Sequence, residues 1–190
     1  MCGSHDSGKS LHRSITGFID TVDAVSRRLG QVSAWLVALA CAVSAVNAIV
    51  RYLFSVGSNA FLELQWYLFA GTVYFGAPIL LKLNEHVRVD VIYGGRAGRT
   101  KAWIDLLGLI VFFMPVCVAM VLLSYNFVHD SYVQNEMSIS SGGLLRWPVK
   151  ILIPIGFALL TIQGVSEILK RIGFLSGTYN MDTHYERPLQ

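Results

Sequence analysis

The sequence predicts an all-α integral membrane protein: four transmembrane helices, both termini in the cytoplasm, and an amphipathic helix at the membrane surface before the first span. Three observations predict it. Over half of the 190 residues are apolar and only 14% are charged. The apolar residues fall into blocks of spanning length, and lysine and arginine gather on one side of those blocks. The clearest block is the run from Phe61 to Asp90. After Glu63 it has no acidic or basic side chain until Lys82, and Lys82, Glu85, His86, Arg88 and Asp90 then arrive together. From Leu62 to Leu83, at about 1.5 Å per residue, it reaches roughly 33 Å, enough to cross a hydrocarbon core. The carboxylate at its head and the charges at its tail mark the two surfaces, because either buried in lipid costs several kcal/mol.

Taken in order, residues 1–10 are a flexible tail, and residues 11–29 put Leu11, Ile15, Phe18, Ile19, Val22, Val25 and Leu29 at helical spacing. That stripe suits either an interfacial helix or a helix packed on a protein neighbour. It does not read as a cleaved signal, since the apolar block beginning near Leu29 is too long for one and no small-residue cleavage site follows. The first span, 32–54, is rich in Ala and Ser, which let helices approach closely in lipid. Ser44, Asn47 and Arg51 share one of its faces, and that face should look at protein. A turn around Gly57 leads into the second span, 61–83. Arg51 and Glu63 are equidistant from Gly57, so a tight antiparallel pair would hold them at one depth, and they are expected to pair; the alternative is that Arg51 snorkels to headgroups while Glu63 faces water.

The connection after Asp90 is basic, with a Gly94-Gly95 turn. The third span, 103–127, carries Pro115, which predicts a kink. The fourth, 148–170, opens on Trp147-Pro148, with proline suited to a first helical turn. Gln163 and Glu167 share a face on its inner half and look towards another helix or the near surface. Residues 171–190 are a cytoplasmic tail. Of the fifteen lysines and arginines, only Arg51, Arg146 and Lys150 lie on the outer side, which puts both termini inside.

Several functions are disfavoured. The histidines lie outside or at the edges of the spans, where they cannot hold haem between helices. The outer connections hold no cysteine pair for thiol oxidation, and Cys2, Cys41 and Cys117 form no metal or disulfide spacing. The small positive charge follows from topology, so no nucleic-acid partner is implied. No span has a charged residue at its centre, where a carrier acting alone usually keeps one. The chain reads as a non-enzymatic helper; the competing reading is an independent homo-oligomeric carrier or channel.

Four motifs in order, Glu63-Leu64-Gln65-Trp66, Asn84 to Asp90, Glu136 with Ser138, and Trp147-Pro148-Val149-Lys150 leading to Ile153–Phe157, resemble the small, four-span membrane subunit of tripartite ATP-independent periplasmic (TRAP) transporters. The likeness covers roughly residues 30–170. It implies a multi-pass protein of a bacterial inner membrane, partnered by a large membrane subunit and, transiently, by a periplasmic substrate-binding protein. The system would be a sodium-coupled importer of an organic acid, with the sodium and substrate sites in the large subunit and no cofactor in this one; phospholipid is an expected partner. The wording SGGLLRWPVK and IQGVSE resembles the branch associated with 2-oxo acids more than the C4-dicarboxylate branch. On this reading Asn47, Arg51, Glu63, Gln65, Trp66, Gln163 and Glu167 serve helix or subunit contacts. Lys82, His86, Arg88, Asp90 and Arg96 serve the cytoplasmic interface or lipid headgroups, the alternative being a solvated loop. Glu136, Ser138, Arg146, Trp147 and Lys150 form a periplasmic anchor or touch the binding protein.

Overall fold

A computed structural model describes residues 4–55, 57–83, 98–140 and 143–178, with side chains from Ile15 onward. The described residues form α1 (Ser4–Phe54), α2 (Asn59–Leu83), α3 (Gly98–Gly108), a π-helical turn (Leu109–Phe113), α4 (Met114–Val133), α5 (Trp147–Lys150) and α6 (Leu152–Leu175). Four stretches are long and apolar enough to cross a membrane: Ile15–Phe54, Asn59–Leu83, Gly98–Val133 and Trp147–Leu175. The architecture is therefore all-α and four-span, as the hydropathy blocks require.

The separate surface helix expected at 11–29 is instead part of one 51-residue helix that begins at Ser4, so residues 4–10 of the expected flexible tail are helical as well. No proline interrupts α1, and its glycines cost only about 1 kcal/mol each in a helix interior, too little to end it. The stripe turns partly inward: Ile19, Val22 and Ser26 are buried, while Phe18 and Val25 stay exposed.

α1 and α2 pack antiparallel through small residues. Gly30 lies against Ile79, Gly71 against Leu36 and Gly76 against Ser33, and the Ser33 hydroxyl donates to the Thr72 carbonyl at 2.8 Å. Small side chains let the backbones come close enough for that bond. The rest of the small-residue face is open. Ala34, Ala38, Cys41, Ala45 and Ala48 follow helical spacing on α1 and are all exposed.

In the third span, where a kink is expected at Pro115, the helix carries a π-helical turn just upstream. Pro115 cannot donate to the carbonyl four residues back, and its ring crowds the preceding turn. The helix accommodates this by widening to the π turn at Leu109–Phe113 immediately upstream. The span also runs further than expected, to Val133. Asn135, in the left-handed region at φ 46°, then turns the chain out, a conformation asparagine tolerates better than most residues. The fourth span is interrupted at Ile151, where Pro154 has no N–H to give the Lys150 carbonyl. Its C-terminus closes in a Schellman motif. Gly177, at φ 76°, donates to Phe174 O at 3.1 Å, and Thr178 donates to Gly173 O at 2.9 Å.

Candidate functional site

The polar side chains gather at the two ends of the bundle, and between them the four spans carry no Asp, Glu, Lys, Arg or His. At the cytoplasmic end, α6 supplies Gln163, Glu167, Lys170 and Arg171. Spacings of four, three and one residue put them on one helical face. α1 brings Asp23 and Ser26, α2 brings Lys82, and α3 brings Asp105. The Lys170 ammonium donates to Asp23 Oδ1 at 2.8 Å and Oδ2 at 2.9 Å, and to Glu167 Oε1 at 2.7 Å. Lys82 Nζ stands 3.2 Å from Asp23 Oδ2. Arg171 donates to Glu167 Oε2 at 2.6 Å and reaches Asp105 Oδ2 at 3.5 Å. Gln163 accepts from Ser26 Oγ at 2.6 Å and donates to Asp23 at 3.2 Å and to Glu167 at 3.3 Å.

Three acids thus face three bases, so the cluster is close to neutral. That balance is required where Gln163, Glu167, Lys170 and Arg171 are all buried, because an unpaired charge there costs several kcal/mol. The cluster ties all four spans together. It contains Lys82, Gln163 and Glu167 from the sequence-derived set and adds Asp23, Asp105, Lys170 and Arg171, which sequence reasoning missed. Asp23 follows Ile19 by four residues on the apolar stripe, and this placement of a carboxylate beside buried positions was the available signal. His86, Arg88, Asp90 and Arg96 lie outside the described residues.

At the outer end a short hairpin lies over α2 and α5. Ser138 N–H donates to Leu144 O at 3.0 Å and Arg146 N–H to Glu136 O at 2.8 Å, bridging Met137 and Leu145. Glu63 holds this hairpin: its carboxylate accepts a bond from the Ser138 hydroxyl and one from the Leu144 N–H at 2.6 Å. One turn on, the Tyr67 hydroxyl donates to Leu145 O at 2.6 Å. Glu136 pairs with Lys150 and with Arg146 at 3.5 Å. Lys150 also sits 4.0 Å from the Phe127 ring centroid, and Trp147 meets Tyr132 edge-on at 5.4 Å. The Lys150 ammonium, bonded to Glu136, is the main cause that holds the Glu136 carboxyl below its ordinary range; a Ser131 contact adds to it.

The expected pair of Arg51 with Glu63 does not form. Both oxygens of Glu63 are taken by the hairpin, whose hydroxyl and backbone N–H need acceptors. Arg51 is exposed and lines an open groove of about 500 Å³ between α1 and α2, shared with Ser44, Asn47, Tyr52, Leu62 and Gln65. Trp66 points outward, 69% exposed.

The Ser138 hydroxyl and the Glu63 carboxylate beside it serve to hold the hairpin, the carboxylate also accepting from the Leu144 N–H. Among the described residues no group of three or more His, Cys, Asp or Glu side chains is placed to hold a metal. No match to the chain was found among curated proteins or among solved structures. A family profile, however, matches residues 40–173 under the description "Tripartite ATP-independent periplasmic transporters, DctQ component". The matched stretch takes in the last fifteen residues of the first span, all of the second and third, and the fourth up to Gly173, together with the hairpin and most of the cytoplasmic cluster. The chain belongs to the DctQ family: it is the small inner-membrane permease component of a TRAP transporter, not an enzyme, and components of this kind work with a large membrane subunit and a periplasmic binding protein.

Proposed function

We propose that this component is a static scaffold: it braces a large subunit that carries an organic acid and sodium through the membrane by an elevator movement, and it holds no transported solute itself. The observation that carries this reading is the engagement of the polar groups with one another at the two ends, around an uncharged middle. A carrier needs polar contacts for solute and ion near the midplane. A brace needs stiffness and a face to offer. The interhelical ion pairs serve the first, and the exposed stripe Ala34, Ala38, Cys41, Ala45 and Ala48 serves the second, because small residues admit a partner helix closely. The periplasmic binding protein delivers the carboxylate, and the hairpin at 136–146 lies on the side from which it arrives.

The test is reconstitution. Liposomes holding this chain together with the large subunit, supplied with binding protein and a sodium gradient, should accumulate substrate; liposomes holding this chain alone should not. Ala38→Trp with Ala45→Trp should reduce co-purification of the large subunit while leaving the isolated chain monodisperse. Uptake by this chain alone would overturn the scaffold reading in favour of an independent carrier.

A further inference from the structure

The groove between the outer ends of α1 and α2 adjoins the stripe offered to the large subunit, sharing Ala48 with it, but its polar side chains are not used by the scaffold reading. Arg51 stands in it with its charge uncompensated, since no ion pair to it occurs among the described residues and Glu63, the nearest acid in sequence, is committed to the hairpin. Asn47 lies one turn deeper on the same face of α1, Ser44 another turn below, and Gln65 faces them from α2. The floor is therefore cation first, then amides, then a hydroxyl, with Leu62 as an apolar wall. At about 500 Å³ the groove is in the range of small-molecule sites.

Its surroundings are those of a lipid-facing surface at headgroup depth. Arg51 lies three residues from the end of α1 at Phe54, about 5 Å along the axis. Tyr52, Phe54 and Trp66 beside it are 88%, 69% and 69% exposed, and exposed aromatics at that height form the interfacial belt of a membrane protein. A guanidinium matches the two oxygens of a phosphodiester with a two-point bond, and the amides of Asn47 and Gln65 can donate to the glycerol ester oxygens below it.

From this geometry we infer that the groove is a specific site for one glycerophospholipid of the outer leaflet, its phosphate on Arg51 and its glycerol backbone against Asn47 and Gln65. The lipid neutralises Arg51 and fills the gap between the outer ends of the first two spans. The groove meets the proposed partner face at Ala48, but the lipid contacts fall on Arg51, Asn47 and Gln65, so the inference is tested on the isolated chain, where failure of the scaffold reading does not affect it.

Native mass spectrometry of the detergent-purified chain tests it, with phosphatidylethanolamine and phosphatidylglycerol as added probes and phosphatidic acid as a headgroup-free control. The wild type should retain one phospholipid per chain at low collision energy, and all three probes should refill the site after delipidation, since the phosphate is the common element. Arg51→Ala should lower retention at least tenfold. Arg51→Lys, which keeps the charge and loses the fork, should retain it partially. Asn47→Ala with Gln65→Ala, which leaves Arg51 intact and guards against misfolding of the Arg51 variants, should also weaken it. Loss of the large subunit from Arg51→Ala without any change in bound lipid would assign Arg51 to a protein carboxylate and overturn the inference. A wild type that carries no phospholipid, or equal retention in all variants, would overturn it as well.

Discussion

Replacing Glu167 with glutamine removes the most enclosed carboxylate of the cytoplasmic cluster, a side chain 1% exposed. Two cations depend on it, and they are not equally placed. Lys170 keeps both oxygens of Asp23, at 2.8 and 2.9 Å. Arg171 loses its 2.6 Å carboxylate partner and keeps its 3.1 Å bond to the backbone carbonyl of residue 167 and Asp105 at 3.5 Å as a charged partner. The cluster then holds three bases against two acids around an arginine that is 3% exposed. Removing one member of a buried ion pair costs about 3–5 kcal/mol. Because Lys170 retains its two-point contact, the low end applies, about 3 kcal/mol. For a chain of this length each kcal/mol moves the midpoint by about 2–4 °C, so Tm should fall by about 6–12 °C. The assay is thermal unfolding in detergent, followed by loss of the monodisperse peak and checked by circular dichroism. Arg171→Gln should behave similarly, and the double variant Glu167→Gln/Arg171→Gln should recover part of the loss, with a coupling energy of about 1–3 kcal/mol. A Tm within about 2 °C of wild type for Glu167→Gln, or strict additivity in the double variant, would refute the view that this pair is buried and interdependent.

Glycine contacts give a second pair of outcomes in the same assay. A methyl group on Gly156 would stand 2.5 Å from Tyr74 Cδ1 and 2.6 Å from its Cβ, so Gly156→Ala should cost about 1–3 kcal/mol by forcing α2 and α6 apart. Gly17 has nothing within 4 Å of the same position, so Gly17→Ala should stabilise by about 0.5–1 kcal/mol through helix propensity. At the hairpin, the Glu136 carboxyl titrates below its ordinary 4.5 because of Lys150. A lowered carboxylate stabilises the fold above its ordinary range and loses that contribution as pH falls through the lowered value. Trp147 fluorescence should therefore hold steady from neutral pH to about 4.5 and change only below it, and Lys150→Ala should bring that change up towards 4.5.

Much of the membrane architecture was legible along the chain because it depends on local quantities. The length of an apolar run decides whether it can cross the hydrocarbon core, and the lysine and arginine imbalance decides which end stays inside. Pro115 announced a distortion in the third span for the same reason, since a missing N–H acts on the turn beside it, and the π turn at Leu109–Phe113 lies there. The polarity of both ends could also be read, and Glu63, Gln163 and Glu167 could be picked out as residues that face protein, whereas Glu136 and Lys150 read as an anchor or a docking contact and not as a pair. The partners themselves could not be read.

Glu63 was expected to meet Arg51 across a short turn, but it binds Ser138, 75 residues away. That choice depends on where the fourth span enters the bundle. Lys170 and Arg171 counted in the sequence only as inner-surface charges, indistinguishable from solvated ones until Asp23 and Asp105 were brought against them by the packing of α1 and α3 on α6. By itself, then, the sequence determined that four helices cross, in which direction they run and that charge is kept at their ends, because lipid exacts those terms residue by residue. Only the tertiary structure decided which charge meets which, because in a bundle of antiparallel helices each charge is paired by residues far away in the chain, at whatever register close packing allows.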